Sequence, residues 1–254
     1  MRQANVPKLS YCLLVPHFNH FRQLQKFFPE LHASGLPLIV VDDGSDAENI
    51  AALHKLVSQY DDVELLECRP NRGKGFAIVA GLRHALQCGY SHAVQIDADG
   101  QHNINDVQKM VALSGSEPDA IVSGLPVFGD DIPRARMNGR KVSLFFVRLE
   151  TLSMQLKDAM CGFRVYPVAA TTDLCLTSAI GQRMQFDLEV LVRWVWRGER
   201  VAYAPTAVCY PDDGRSHFRM LRDNIQISWM HTKLVVGMLV RSPLLIYRKF
   251  NETG

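Results

Sequence analysis

The stretch His92-Ala-Val-Gln-Ile-Asp97-Ala-Asp99-Gly-Gln101-His102 reads as a short buried strand that runs out into an acidic loop. Two carboxylates one residue apart at a strand's end can hold a divalent cation, and that cation can in turn grip a diphosphate. Acidic residues also serve as turn formers and helix caps, so the pair takes its meaning from its neighbours. Upstream, the β-branched run Leu38-Ile-Val-Val41 ends in Asp42-Asp43-Gly44-Ser45, a second acidic cluster in the same kind of place. In open α/β sheets, ligands bind outside the carboxyl ends of strands. Ser45 and Glu48 spell a capping box ahead of Ile50, Leu53 and Leu56, which explains Ser45 and leaves the paired Asp42 and Asp43 unexplained. Between the two clusters lies Arg69-Pro-Asn71-Arg72-Gly73-Lys74-Gly75, followed by an apolar-periodic segment from Phe76 to Leu86 that Gly89 closes. A basic, glycine-rich helix entrance suits an anionic ligand, although a solvated basic loop accounts for the same residues. It is neither a Walker A loop nor the dinucleotide fingerprint.

Strand-like and helical patterns alternate through the first half. Leu9 to Val15, Leu38 to Val41, Val63 to Glu67, Ala93 to Ile96 and Ala120 to Ser123 are separated by helical stretches after Asn19, from Asp46 to Tyr60, from Phe76 and from Asn105. This order predicts an α/β fold with a doubly wound, mainly parallel sheet flanked by helices. Pro29 predicts a kink or split in the first helix. With 254 residues, 47% apolar and 21% charged, the chain is large enough for one globular unit with a proper core. Its six cysteines form no C-x-x-C pair and several sit in apolar runs, which predicts reduced core thiols and a cytoplasmic setting. The first eight residues lack the apolar segment of a secretory signal. A net charge of +2 without a recognised motif argues against nucleic-acid binding, and no haem, flavin or nicotinamide signature is present.

Val15-Pro16-His17-Phe18-Asn19, Val41-Asp42-Asp43-Gly44-Ser45, Asn71-Arg72-Gly73-Lys74-Gly75 and Asp97-Ala98-Asp99-Gly100-Gln101-His102 occur in that order. Together they resemble family 2 glycosyltransferases with the GT-A fold, nearest in pattern to the dolichyl-phosphate mannose synthase, or polyprenyl-phosphate glycosyltransferase, branch. The resemblance continues in Asp158-Ala-Met-Cys161-Gly162-Phe163-Arg164 and in Phe186-Asp187-Leu188-Glu189, and it spans most of residues 10 to 220. It implies nucleotide contacts at Pro16, Asp42, Asp43, Lys74 and Asp97, and a metal held by Asp97 and Asp99, with Gln101 completing the shell. Hard oxygen ligands of this kind suit Mg²⁺ or Mn²⁺. The implied reaction is transfer of a sugar from a nucleotide diphosphate with inversion, in which charge developing on the leaving diphosphate is offset by the metal and by nearby cations. Arg215 is the catalytic cation implied, with Arg134, Arg136 and Arg140, read as part of a loop after Ser123-Gly124, as further candidates. A hydroxyl acceptor needs a general base, for which Asp187 is the choice; a phosphate acceptor needs none, and then Asp187 and Glu189 orient the sugar or the basic loops. Plain helix surface is the alternative for Glu189. Asp158 is a turn residue or a partner for Arg164. His17, His20 and His102 read as turn or cap residues rather than metal ligands, with only His102 close enough to the metal motif to be considered, and His217 falls where related enzymes carry a basic loop, with the residue order altered here.

The last forty residues carry seven basic and two acidic residues, a net +5 against +2 for the whole chain. Apolar and aromatic residues are mixed with those cations, the pattern of helices that lie in a membrane interface. The longest uncharged run there, Leu234 to Val240, falls far short of the ~20 residues a span requires. This divides the chain into a catalytic unit, 1–214, and basic amphipathic membrane-associating helices, 215–254. The expected partners are a nucleotide-diphosphate sugar, a lipid-linked acceptor (a polyprenyl phosphate or a glycolipid) and the inner face of the cell membrane. Packing on the catalytic unit or a homodimer contact is the alternative use of the same helices. Two other functions compete. A sugar nucleotidyltransferase would need a glycine-rich loop after the first strand, where Pro16-His-Phe-Asn stands instead; a non-catalytic nucleotide-binding membrane scaffold is disfavoured by intact Asp97, Asp99 and Asp187.

Overall fold

Strands that are apolar on both faces, such as Leu38-Ile-Val-Val41, belong inside a parallel sheet covered by helices on both sides. The computed structural model describes residues 9–128, 134–208 and 220–251. In chain order the elements are β1 (Tyr11–His17), α1 (Phe21–Ala33), β2 (Leu38–Asp42), α2 (Ala47–Val57), β3 (Val63–Glu67), α3 (Lys74–Gln87) and β4 (His92–Gln95). After a short 3₁₀ turn come α4 (Val107–Ser116), β5 (Ile121–Phe128), α5 (Arg134–Thr151), β6 (Arg164–Pro167), α6 (Val168–Thr177), α7 (Phe186–Trp196), β7 (Val201–Val208) and α8 (Met220–Asn251).

The seven strands form one sheet in the order β3-β2-β1-β4-β6-β5-β7. β1 pairs in parallel with β2 and β4, β2 with β3, and β5 with β7, whereas β6 runs antiparallel between β4 and β5. The predicted α/β architecture, a mainly parallel sheet flanked by helices, is the one observed. Strand alternation sorts the core into two layers. Leu14, Ile39 and Val41 face one layer with residues of α3, α6, α7 and α8, while Leu13, Val15, Leu38 and Val40 face another with residues of α1, α2 and α4. From β1 the chain builds outward to β2 and β3, then crosses to β4 on the other side. The strand order therefore reverses at β1, and the crevice beyond the carboxyl ends of β1 and β4 is where such sheets bind ligands.

Helix ends follow local chemistry, with corrections. Gly89, at φ +80°, ends α3 as predicted: its amide donates to Leu86 O and the Tyr90 amide to Ala85 O, the pair of bonds of a Schellman motif. Ser45 is not the cap of α2. Asp46 is, accepting the Asn49 amide at 2.9 Å, while Ser45 Oγ accepts the Asn19 amide from the neighbouring loop. Pro29 lies inside α1, which continues through it as one helix. Residues 134 to 140, read as loop, begin the 18-residue helix α5.

The basic tail forms a single 32-residue helix rather than several, with Pro243 inside it. Met230, Leu234, Met238 and Leu245 are buried in the same core as α3 and α7. At about 2 kcal/mol for each buried apolar side chain, these four hold α8 to the body, so the described part of segment 215–254 packs as one unit with the rest. Among the described residues, no helix is long and apolar enough to cross a membrane. Among the described residues the cysteines are free thiols: Cys12 and Cys161 are buried as expected, Cys68 and Cys175 are half-buried, and Cys88 is exposed rather than in the core, while Cys209 lies outside the described residues.

Candidate active site

At the end of β2, Asp42 and Asp43 face different partners, and both are fully engaged. The Asp42 Oδ1 atom lies 2.9 Å from His17 Nδ1, and Oδ2 accepts the Ser45 amide at 3.0 Å. His17 Nε2 accepts the His20 amide, which leaves Nδ1 to carry the proton and donate to Asp42. Burial works against the Asp42 charge, yet the bonds from His17 and Ser45 hold its pKa below the usual carboxylate value. Asp43 clasps the basic loop: Oδ1 accepts the Arg72 amide at 2.9 Å, and Oδ2 accepts the Gly73 amide at 2.6 Å and Asn71 Nδ2 at 2.8 Å. Burial outweighs these bonds and raises the Asp43 pKa. The clasp fixes the entrance to α3. Gly73 takes φ +113°, a conformation side chains disfavour, and Lys74 becomes the first helical residue.

Lys74 points into the crevice, where Nζ donates to Asp97 Oδ2 and to Asp187 Oδ2, both at 2.8 Å. Burial disfavours the ammonium, but Asp187 and Asp97 more than offset that and its pKa lies above the ordinary lysine value. A ring of polar contacts continues from there. Gln95 Nε2 donates to Asp97 Oδ1 at 3.2 Å, Tyr166 Oη donates to Gln95 Oε1 at 3.0 Å, and Arg164 Nη1 donates to Tyr166 Oη at 3.4 Å. Arg164 Nη1 also lies 3.9 Å from Asp187 Oδ1, which closes the ring. Its antiparallel direction is what lets β6 do this, because it starts beside the end of β4 with Arg164 in register with Gln95. Gly162, just before β6, is required by closeness: a Cβ there would stand 2.7 Å from Lys74 Nζ and overlap the Asp97 carboxylate.

Asp99 is bonded differently. It accepts a hydrogen bond from the Gln101 amide at 3.0 Å, while burial and then the Asp97 charge push its pKa up. Beside it, burial lowers the His102 pKa despite both aspartates, and His102 Nδ1 is buried without a hydrogen-bond partner. Asp187 Oδ1 and Arg164 Nε are likewise buried and without hydrogen bonds. Three carboxylates, Asp97, Asp99 and Asp187, thus share two cations, Lys74 and Arg164. That excess of negative charge in the crevice, presented by hard oxygen donors, fits Mg²⁺ or Mn²⁺ rather than a soft metal.

Pro16, Asp42, Asp43, Lys74, Asp97, Asp99, Gln101 and Asp187 all belong to this edge of the sheet. Glu189 does not join them, although its helix α7 carries Asp187. It is fully buried rather than helix surface, with Oε1 held by Arg193 at 2.7 and 2.9 Å and Oε2 by the Gly181 amide at 2.9 Å. Asp158 pairs with Arg140, at 2.8 Å, and not with Arg164; it also accepts the amides of Met160 and Cys161. His17 is a buried strand residue, not a turn former. Arg215 and His217 lie outside the described residues, as do the side chains of Arg134 and Arg136. Gln95, Tyr166 and the true partners of Arg164 were not foreseen. Their signal was present, since Gln95 and Arg164 are polar positions inside short strands whose neighbours are apolar.

The sequence model of the family described as Glycosyl transferase family 2 matches residues 12–175. Dolichyl-phosphate beta-glucosyltransferase ALG5D of Trichomonas vaginalis is 27% identical over 73% of this chain and 62% of its own length. Polyprenol monophosphomannose synthase of Mycolicibacterium smegmatis is 26% identical over 72% of this chain and 71% of its own length. Among solved structures, glucosyl-3-phosphoglycerate synthase from Mycobacterium tuberculosis, in complex with Mn²⁺, UDP-glucose and phosphoglyceric acid, superposes with a TM-score of 0.63. It is 16% identical, covering 92% of this chain and 79% of that one. The mannosyltransferase PcManGT from Pyrobaculum calidifontis, in complex with GDP-mannose and Mn²⁺, gives a TM-score of 0.56 at 18% identity, covering 81% and 58%. These last two likenesses carry the fold.

Proposed function

The chain belongs to glycosyltransferase family 2, and on that premise we propose that it moves a hexose from a nucleotide diphosphate sugar to a lipid-linked phosphate, with inversion and with a divalent cation. The single observation that carries this reading is the Asp97–Asp99 pair, half-buried just beyond the carboxyl end of β4, with Asp99 held by one backbone amide alone. Asp97 and Asp99, with Gln101, would hold Mg²⁺ or Mn²⁺. When bound, that cation supplies positive charge to the leaving diphosphate. The chain's own groups do the rest. Lys74 spans Asp97 and Asp187, so it ties the nucleotide side of the crevice to the sugar side. Asp187 Oδ1 is buried toward Arg164, so the carboxylate would meet a sugar or acceptor hydroxyl through Oδ2, the oxygen that Lys74 holds. A phosphate acceptor is already an anionic nucleophile, and then Asp187 positions rather than deprotonates. Asp42 and Asp43 have given their oxygens to protein donors; they place Pro16, the loop from Asn71 and Lys74 against the nucleotide.

The lipid acceptor is supported by two relatives, one named for dolichyl phosphate and the other for a polyprenol monophosphate product. It is also supported by the outer face of α8, where Trp229, Leu239, Val240, Tyr247 and Phe250 are exposed near Arg241 and Lys249. With α5, which exposes Val142 and Phe145, this face suits the interfacial side of a membrane, proposed as the cytoplasmic one. The test is a transfer assay with Mn²⁺, polyprenyl phosphate in anionic vesicles, and UDP-glucose or GDP-mannose in turn. Transfer from one donor, lost in Asp99→Asn, is expected. Conversion of the nucleotide sugar to a nucleoside triphosphate and a sugar 1-phosphate on addition of pyrophosphate, without transfer to the lipid, would identify a nucleotidyltransferase, and no turnover of either donor together with no metal-dependent nucleotide binding would overturn the reading.

A further inference from the structure

The opposite end of the sheet carries a second group of metal-ligating side chains that the transfer reaction does not use. Glu64 is the second residue of the edge strand β3, and His84, in the last turn of α3, is followed four residues on by Cys88, its C-cap, so both project from the same helix face. Their donor atoms converge: His84 Nε2 lies 2.5 Å from Glu64 Oε2 and 3.5 Å from Cys88 Sγ, and one ligand atom from each lies within 4.8 Å of the others. We propose that Glu64, His84 and Cys88 form a binding site for a borderline divalent cation of the Zn²⁺ class, separate from the carboxylate site at the other end of α3.

The geometry supports this. A tetrahedral centre with Zn–N of about 2.0 Å and Zn–S of about 2.3 Å spans about 3.5 Å between nitrogen and sulfur, the separation already present here. The oxygen-to-nitrogen distance must open to about 3.3 Å, which Glu64 can supply because its side chain is 51% exposed and sits on an edge strand. Donor chemistry sets the selectivity. Thiolate and imidazole favour Zn²⁺ or Co²⁺ over Mg²⁺, whereas Asp97 and Asp99 offer only oxygen. Binding sends the Cys88 proton to solvent, and one thiolate with one carboxylate neutralises the cation. Three protein ligands leave a fourth position to water, the composition of an open site. With fourteen residues in α3, the two sites stand about 20 Å apart along the helix.

Co²⁺ titration of the reduced, metal-stripped full chain tests this without reference to transfer activity. A thiolate-to-cobalt charge-transfer band is expected that survives Asp99→Asn and excess Mg²⁺, disappears in Cys88→Ser, and is displaced by Zn²⁺. His84→Ala, a change at a half-buried position in the last turn of α3 whose folding is checked by circular dichroism, should weaken Zn²⁺ binding by more than the range of about 10–100-fold seen for outer-sphere changes. Zn²⁺ should also slow alkylation of Cys88, the exposed thiol. Absence of the band, its persistence in Cys88→Ser, or unchanged Zn²⁺ affinity in His84→Ala would each overturn the proposal.

Discussion

Two acidic pairs stand at the carboxyl ends of neighbouring parts of one sheet, and the protein treats them in opposite ways. Asp42 and Asp43 are saturated by protein donors, from a histidine, a side-chain amide and three backbone amides. Asp97 and Asp99 share a lysine, a glutamine and one backbone amide between them, and sit beside buried atoms with no partner at all. Lys74 holds the Asp97 pKa below the ordinary carboxylate value against the effect of burial, whereas burial and the Asp97 charge raise that of Asp99, so Asp99 is the carboxylate left short of donors and the one a cation would relieve. The same residue type at the same sheet edge therefore serves assembly in one pair and, in the function proposed above, ligand binding in the other.

The largest expected effect that separates them is on turnover. Asp99→Asn should cut transfer by about 10³-fold, near 4 kcal/mol in the barrier, and abolish metal-dependent nucleotide binding. Because it removes one of two adjacent like charges, the one whose pKa burial and Asp97 raise, thermal unfolding of the metal-free chain should show Tm unchanged or raised. A collapse in Tm would place Asp99 with the clasp instead. Next, Lys74→Met should destabilise the fold by about 3 kcal/mol in urea, since it leaves Asp97 and Asp187 facing each other without a counter-charge. Asp43→Asn should cost about 2 kcal/mol through the amides of Arg72 and Gly73, with nucleotide affinity falling as the loop loosens. Full stability with lost binding would make Asp43 a direct ligand.

The smallest effect is a pH dependence. The folded Asp42 pKa lies below its ordinary value, so its contribution is complete above the ordinary carboxylate range and is lost as pH falls through the folded value. Asp42→Asn should then be less stable than the parent at neutral pH, with the gap narrowing toward acid. Urea unfolding at a series of pH values reads it directly, and a gap that widens on acidification would contradict the assignment.

Much of this was legible from residues alone. β-Branched runs ending in aspartates marked the sheet edge, and Gly89 after the apolar-periodic segment marked the end of α3, because strand patterning, helix periodicity and turn chemistry act over a few residues. Helix α5 was harder to see, since its first turns, Arg134 to Arg140, are polar and carry a glycine at 139. Ser45 and Asp46 were both acceptable caps, and the choice fell to Asp46 once Ser45 was engaged by the Asn19 amide.

By itself the sequence determined which carboxylates stand at strand ends, that helices and strands alternate, and that the last helix mixes apolar and basic faces. Only the tertiary structure decided which of those carboxylates were already spoken for. Lys74 and Asp187 are 113 residues apart, and Tyr166 reaches Gln95 across 71. Such partners are chosen by strand order and by the antiparallel insertion of β6, which depend on how the whole core packs and leave no mark in any local window of residues.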